Sequence, residues 1–522
     1  MAYDDVLISL GQFGRYQKRI NLLLCLPAIS CALHKLAGVF LQARVPHRCA
    51  REGEDANATF FDRTDEAVCN LTSIYGNETV QHCAKWLYNT DQYASTTTSE
   101  FDLVCDRAWL RATGDALLMV GVMLGSIVFG HLSDSLGRKP VFFVSLVLQV
   151  VFGFITAIVP NVWGFMISRM IVGATTSGVF LVAYVIGLEM VGPSKRILCG
   201  VVFQLFFTAG FILTAGFAYF IRDWRTLQIA ITIPGIAFFC YWWFIPESVR
   251  WQLTKGRTEQ AKKTLRAVAK ENGKKVAEEM LEQLCQQTEA ERKEAGQQSA
   301  SVLELFKFPN LAKKSVIIFF LWFVNSATYY GLSWNTSNLG GNDYVNFIIS
   351  GLVEVPAYSL LLFTLDRWGR KPVVCGAMLI SGSCLIISGF IPKSYLWLQI
   401  TFAMMGKLAI TSSYGAIYVW TTEQFPTVIR NAGLGAASTF ARVGGIMAPY
   451  VNIMAEIYIP LPMIVFGVMA FVSGATALIL PETLGADLPA TIADGEKFGK
   501  IKKEKPIKPE EGVTLNDMKE SA

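Results

Sequence analysis

Long apolar stretches, separated by short polar or charged segments, recur twelve times along the 522-residue chain. Each is about 20 residues long, which is the length of helix that crosses a bilayer. They cover residues 20–42, 112–132, 141–159, 163–188, 197–220, 226–245, 315–334, 345–365, 373–391, 395–420, 431–454 and 459–480. Charged groups interrupt the first span at His34 and Lys35, and the eleventh at Arg442. The pattern predicts an all-α membrane protein with twelve transmembrane helices.

The charged loops between these spans repeat at a nearly constant offset. Asp134–Pro140 returns as Asp366–Pro372, a distance of 232 residues (366 − 134). Two further sets return at offsets of 234 and 235, namely Glu189 with Arg196 as Glu423 with Arg430, and Pro246–Glu247 as Pro481–Glu482. A chain with such a repeat is a duplicated bundle, and a substrate path between two halves is typical of a secondary transporter.

The repeat divides the chain into five parts. We expect an N-terminal segment (1–19), a first six-helix bundle (20–245) with a loop inserted at 43–111, a connector (246–314), a second, pseudo-symmetric six-helix bundle (315–480) and a disordered tail (481–522). In the connector, apolar residues recur at helical spacing between Arg257 and Ala295, which predicts one or two amphipathic helices. No small-residue cleavage site follows the first span, so we expect no cleavable signal peptide.

Charge indicates the orientation in the membrane. Segment 247–314 holds 14 Lys and Arg against 10 Asp and Glu, a net charge of +4, whereas segment 44–111 holds 7 against 11, a net charge of −4. Basic loops stay in the cytoplasm. We therefore expect a multi-pass membrane protein with both termini in the cytoplasm and the 43–111 loop outside.

The 43–111 loop has the composition of an extracellular segment. It carries three glycosylation sequons, at Asn57, Asn70 and Asn77. Its four cysteines are Cys49, Cys69, Cys83 and Cys105. Four cysteines predict two disulfides, and the sequence leaves all three connectivities open.

The repeated loops predict a cytoplasmic gate. Arg138 offers a planar fork to a carboxylate on a neighbouring helix, and such pairs can latch in one conformation and break in another. The alternative is that these are only positive-inside charges beside turn glycines. The predicted gate residues are Asp134, Arg138, Glu189, Arg196, Glu247, Arg250, Asp366, Arg370, Glu423, Arg430 and Glu482.

These loops resemble those of the major facilitator superfamily. Further segments resemble its organic cation, organic anion and carnitine transporter branch, and are most similar to the invertebrate members called organic cation transporters. They include Tyr3–Val6, Gly11–Gln17, Ser99–Cys105, Pro246–Trp251, Tyr329–Leu332, Glu354–Ala357, Phe425–Asn431 and Pro481–Gly485. The resemblance runs in order from residue 3 to about residue 490. It implies polyspecific uptake of small organic ions at the plasma membrane by alternating access.

Ionisable and aromatic side chains within apolar spans mark a candidate substrate cavity, because a charge exposed to lipid is costly and aromatic faces hold organic cations. For each aromatic the alternative is ordinary helix packing. The candidates are Tyr184, Gln204, Trp322, Tyr329, Tyr330, Glu354, Tyr358, Lys407, Tyr414, Tyr418 and Arg442. The resemblance implies that Tyr184, Gln204, Trp322, Tyr329 and Glu354 occupy positions that line the central site in similar transporters.

Two cations point to the charge of the substrate. Lys407 either faces the cavity or reaches toward a membrane interface, and Arg442 either faces the cavity or pairs with a buried acid such as Glu354. The resemblance implies that an arginine at position 442 is typical of members preferring anions or carnitine. We therefore expect an organic cation or a zwitterion such as carnitine as substrate, with organic anion exchange as the alternative.

Other function classes are disfavoured. With four His and no metal-spacing cluster, P-loop or nucleophile elbow, we expect neither an enzyme nor a bound metal or cofactor. A non-transporting substrate sensor is a remote alternative, and no nucleic-acid partner is expected. The expected partners are a small organic ion, the lipid bilayer and a coupled or exchanged ion, with a monomer as the functional unit. For His34 and Lys35, a solvated interfacial position is favoured over a role in substrate access.

Overall fold

The computed structural model describes residues 3–50, 83, 85–275, 277–295, 302–486, 488–489 and 491–499. In this part the chain is almost wholly helical, with one small antiparallel sheet of β1 (His47–Cys49) and β2 (Trp86–Tyr88). The three predicted glycosylation sites and Cys69 lie outside the described residues.

Helical spans occupy all twelve predicted positions. In order, spans 1 to 12 are Arg15–Leu41, Cys105–Leu136, Arg138–Ile158, Val162–Glu189, Pro193–Phe220, Trp224–Trp243, Pro309–Trp334, Asp343–Trp368, Arg370–Phe390, Leu396–Gln424, Arg430–Ile453 and Leu461–Ala477. Within the described residues, the first nine are long and apolar enough to cross a membrane, and span 12 is apolar but shorter. The predicted all-α membrane fold is confirmed.

Local sequence explains where several spans begin and break. Asn161 and Asp223 cap spans 4 and 6, since their side-chain oxygens accept the Gly164 and Thr226 amides at 2.7 and 2.9 Å. Span 8 consists of two helices, Asp343–Leu352 and Glu354–Trp368. Pro356 has no amide hydrogen to offer the carbonyl four residues earlier, which favours this break. The break places Glu354 at the start of a helix in the middle of the membrane.

Within each half, two helix backbones approach each other closely at a glycine. The two glycines occupy equivalent positions in the repeat. A Cβ on Gly210 of span 5 would lie 2.6 Å from the Ile29 carbonyl oxygen of span 1. A Cβ on Gly444 of span 11 would lie 2.1 Å from the Phe323 carbonyl oxygen of span 7. The two glycines are 234 residues apart (444 − 210), the same offset as the charged loops. The duplication therefore extends into the packing between helices, where small residues permit close contact.

The connector forms three helices, Val249–Thr254, Thr258–Asn272 and Glu278–Ala295. Its middle helix buries Ala261 and Leu265 on one face, as an amphipathic helix does. Arg19, at the start of span 1, donates twice to Glu271 at 3.0 and 2.8 Å. The connector is thereby held against the first bundle.

The tail departs from the expected disorder over its first part. A short helix, Ile492–Lys497, begins with a capping box. The Thr491 hydroxyl accepts the Asp494 amide, and the Asp494 carboxylate accepts the Thr491 amide. The Asn310 amide at the start of span 7 donates to the Glu496 carboxylate at 2.9 Å. These contacts with the second bundle, which composition does not reveal, order the chain here.

The two bundles contact each other at one end and near the middle of the spans. We call the end carrying the repeated charged loops the inner end and the opposite one the outer end. At the outer end Arg111 pairs with Glu456 at 2.8 Å, and Phe40 of span 1 packs on Phe347 of span 8 at 4.9 Å. Among the residues that the structure describes, no ion pair or hydrogen bond joins the bundles at the inner end. The contacts named here therefore join the bundles at the outer end.

Candidate functional site

The first copy of the charged loop forms a compact network. Arg138 donates to both Glu189 oxygens at 3.2 and 3.0 Å and pairs with Asp134. Glu247 accepts the Arg138 and Lys139 amides at 3.0 and 3.2 Å. The network joins three separate stretches of the first bundle at its inner end.

The second copy repeats this geometry. Arg370 donates to Glu423 at 3.1 and 3.2 Å and lies 3.3 Å from Asp366. Glu482 accepts the Arg370 and Lys371 amides at 3.0 and 2.9 Å. Eight of the eleven predicted gate residues therefore come together as two matched networks, each within one bundle.

The other three predicted gate residues lie apart from these networks. Arg196 pairs with Asp4 of the N-terminal helix Tyr3–Ser9, and not with Glu189. Arg430 donates to Thr427 at 3.3 Å instead of to Glu423. Among the described residues, Arg250 forms no ion pair. The repeat spacing does not predict the Arg196 contact, because its partner Asp4 lies 192 residues earlier in the chain, on the N-terminal helix.

The two half-buried glutamates, Glu247 and Glu482, differ in their electrostatics. Burial raises the pKa of Glu247 above its ordinary value, although the amides of Ser248, Lys139 and Arg138 act against this. For Glu482, burial acts in the same direction, but four backbone amides outweigh it and lower the pKa. The backbone amides of the second network therefore stabilise the ionised glutamate more strongly than those of the first network do.

Glycine is required where each network turns. Gly369 has φ +97°, and a Cβ there would lie 2.6 Å from the Glu482 carboxylate. We expect Gly369→Ala to lower stability by roughly 1–2 kcal/mol or more through strain and displacement of Glu482. Melting of the purified protein measures this. Gly376→Ala is the matched control, because a Cβ there meets nothing within 4 Å. Equal melting temperatures for the two variants would contradict the expectation.

Aromatic side chains of spans 7 and 10 form one cluster at mid-membrane. The Trp322 ring lies 4.4 Å from Tyr418 and 6.3 Å from Tyr414, and Tyr414 lies 5.6 Å from Tyr329. Tyr418 is 42% exposed, whereas Trp322 is fully buried. Tyr184, on span 4 of the other bundle, is close enough to interact electrostatically with Tyr418. The cluster thus faces the gap between the bundles.

Glu354 and Lys407 form a buried ion pair beside this cluster. Their side chains are 0% and 1% exposed, and the Lys407 ammonium lies 3.3 Å from the carboxylate. Tyr329 donates to the same carboxylate at 2.6 Å, and Lys407 lies 3.6 Å above the Tyr329 ring. The interfacial position considered for Lys407 is wrong. In this conformation the pair is sealed from the cavity.

Arg442 has a different environment. It lies one turn beyond Ser438 on span 11 and donates to the Ser438 carbonyl at 2.9 Å and to its hydroxyl. Among the described residues no carboxylate pairs with Arg442, so the alternative pairing with Glu354 is not formed. Its guanidinium lies near Tyr418, which is partly exposed. Arg442 is therefore a partly exposed cation at the aromatic cluster.

The remaining predicted cavity residues surround these groups. Tyr358 is 8% exposed and lies close to Tyr330 and Glu354. Gln204, on span 5, is half-buried, as are Tyr184 and Tyr330. They lie on spans that face the same gap.

The solvated interfacial position expected for His34 is wrong. His34 is 2% exposed, and a Gln228 amide of span 6 lies 3.4 Å from its ring. Lys35 points the other way and donates to the Tyr330 hydroxyl of the second bundle at 2.6 Å. Adjacent residues on a helix point about 100° apart. His34 therefore points into the first bundle, whereas Lys35 extends across the gap to the second bundle.

The structure contains a second, largely buried ion pair that the sequence did not predict. Arg169 of span 4 lies 3.0 Å from Asp115 of span 2, and Gln42 also donates to Asp115 at 2.7 Å. Both charges lie within apolar spans, and the rule that led to Arg442 would have found them. Of the predicted disulfides, Cys49 is bonded to Cys83, and Cys105 is disulfide-bonded to a residue outside the described part.

The chain is similar to known proteins in sequence and in fold. The family model described as "Sugar (and other) transporter" matches residues 77–491. The "Organic cation transporter protein" of Drosophila melanogaster is 53% identical over 524 residues, covering 96% of this chain and 95% of the relative. The human "Organic cation/carnitine transporter 2" is 34% identical, covering 94% and 93%. A solved inward-open structure of the E. coli xylose transporter XylE aligns with a TM-score of 0.63 at 17% identity, covering 90% of this chain and 97% of that one.

Fold and site together define a multi-pass membrane transporter of the major facilitator type, which is not an enzyme. The chain belongs to the sugar (and other) transporter family, in the branch that contains the organic cation and carnitine transporters. This confirms the family resemblance of its sequence motifs.

Proposed function

We propose that the chain carries small organic ions bearing a carboxylate, above all zwitterions of the carnitine type, across the plasma membrane by alternating access. One observation carries this proposal. Glu354 is already neutralised by Lys407, whereas Arg442 has no acidic partner among the described residues and lies partly exposed at the cavity. A substrate carboxylate would supply the partner that the guanidinium lacks, through two parallel hydrogen bonds.

The aromatic cluster supports the ammonium end of such a substrate. Trp322, Tyr414 and Tyr418 pack together, and the exposed Tyr418 lies near Arg442. A quaternary ammonium group binds to aromatic faces without needing a fixed hydrogen-bond acceptor. A molecule with a carboxylate at one end and an ammonium at the other matches both features. The relatives named for organic cations and carnitine agree with this class of substrate.

A second candidate is exchange of purely anionic carboxylates. Lys35 also reaches the gap between the bundles, and among the described residues its ammonium contacts the Tyr330 hydroxyl and ring but no carboxylate. Two cations without acidic partners favour negative charge in the cavity. The relative uptake of a zwitterion and an anion decides between these substrates.

We also propose an orientation and a role for the loops. The outer end, with its disulfides and the sequons at Asn57, Asn70 and Asn77, faces the extracellular side, and both termini face the cytoplasm. The two inner-end networks hold each bundle rigid, so that the bundles move as units. The monomer carries the whole path.

Uptake of three labelled compounds tests the role of Arg442: carnitine, an aromatic carboxylate and tetraethylammonium. With Arg442→Asp we expect the half-saturation concentration of carnitine and the carboxylate to rise at least tenfold, as loss of a charge-assisted hydrogen bond costs about 1.5–3 kcal/mol. Tetraethylammonium uptake should persist. Arg442→Lys is the control that keeps the charge without the planar fork. Unchanged selectivity in Arg442→Asp, at equal surface expression, would reject the role.

A further inference from the structure

The Glu354–Lys407 pair lies within the second bundle, but one of its partners comes from the first. Thr208 of span 5 donates its hydroxyl to the Glu354 carboxylate at 3.0 Å. Phe211, one turn further along the same helix, lies 5.7 Å from the Lys407 ammonium and packs on Phe347 at 4.4 Å. Thr208 is 1% exposed. The first bundle therefore covers the pair.

The Thr208 bond depends on the conformation of the transporter. Span 5 and span 8 touch at and outward of this point, where Ile212 packs against Gly351. Separating the bundles at the outer end must break this bond and uncover Glu354 and Lys407 toward the outside. Closing them restores the bond and removes the pair from water. A buried carboxylate that loses one hydrogen-bond partner is destabilised, whereas an uncovered one can bind water instead.

We propose that Thr208 is a positioning residue for transport, whose hydroxyl stabilises the outward-closed conformation by completing the hydrogen bonds of Glu354. In consequence, substrate reaches the Glu354–Lys407 pair only when the outer end opens, whereas Arg442 and Tyr418 are already partly exposed in the outward-closed conformation. This inference depends on alternating access and is independent of which ion is carried.

A cysteine reporter tests the proposal without a substrate. Ile212→Cys places a thiol at the contact between the bundles, which a membrane-impermeant methanethiosulfonate reaches from outside only when the outer end opens. Into this background we introduce Thr208→Val, which removes the hydroxyl at similar volume. We expect external labelling to accelerate about tenfold, as expected for loss of a buried hydrogen bond. The half-saturation concentration for external substrate should fall, because more molecules are outward-open.

Two further variants complete the test. Thr214→Val is the matched control, because Thr214 is equally buried on span 5 but donates to Gly210 of its own helix at 2.9 Å. Thr208→Ser keeps the hydroxyl. Both should label at the rate of the reporter alone. Equal labelling rates in Thr208→Val and the reporter, or equal acceleration in Thr214→Val, would overturn the proposal. Neither result bears on the carboxylate role of Arg442, which is measured by substrate selectivity.

Discussion

Glu354→Gln should destabilise the protein by about 3–5 kcal/mol, which is the usual cost of leaving a buried charge without its partner. Lys407 would lose its counter-ion at 1% exposure, and the Tyr329 and Thr208 hydroxyls would meet an amide instead of a carboxylate. The melting temperature of the detergent-purified protein measures the loss, and size-exclusion chromatography shows whether a folded monomer remains.

The double variant Glu354→Gln with Lys407→Met distinguishes charge from shape. Replacing both ions with neutral groups of similar volume removes the unpaired charge, and such replacements are often neutral for stability. We expect the double variant to melt near the wild-type temperature, which gives a large coupling energy in a double-mutant cycle. A double variant as unstable as Glu354→Gln would show that the ion pair does not hold this part of the bundle together.

Removing the outer disulfide should have the second-largest effect. Cys49 and Cys83 close a loop with a sequence separation of 34 residues and join the two short strands β1 and β2. Cross-linking a loop of this length stabilises by roughly 3–4 kcal/mol, and an isolated two-stranded sheet is marginal in water. We expect Cys49→Ser with Cys83→Ser to unfold the sheet locally.

Limited proteolysis of intact cells measures this local unfolding. Trypsin added outside should cut the double variant near Lys85, next to β2, at least tenfold faster than the wild type. Cys240→Ser is the control, since Cys240 is a free, exposed cysteine at the inner end of span 6. If wild type and double variant were cut at the same rate, the disulfide would not be what holds the outer sheet in place.

The hydrophobic pattern was sufficient to predict the twelve spans, because membrane helices are encoded in contiguous sequence. The constant offset of the charged loops predicted which residues belong together: Arg138 meets Glu189 and Arg370 meets Glu423. The same offset failed for Arg196 and Arg430. Their partners depend on how the loop and the N-terminal helix fold, and not on the repeat.

The sequence predicted which residues belong to the candidate cavity, but not which of them contact each other. Charge in an apolar span marks a residue as important without naming its partner. Lys407 and Glu354 are 53 residues apart (407 − 354) on different spans, and nothing in the sequence tells that they neutralise each other while Arg442 stays free. Thr208 carries no charge and is one of many hydroxyls in the spans. Its importance appears only when the two bundles are seen together.

Residues 92–100 of the 43–111 loop form hydrogen bonds with both bundles. Ser95 and Glu100 bond to Asp223 and Arg225 of the first bundle, while Gln92 and Tyr93 donate to Asp343 of the second at 3.2 and 3.0 Å. A large molecule bound to this loop from outside, such as an antibody, would therefore slow or arrest the carrier without entering the substrate path. Inhibition of this kind would be non-competitive, and its target would be a surface outside the cavity.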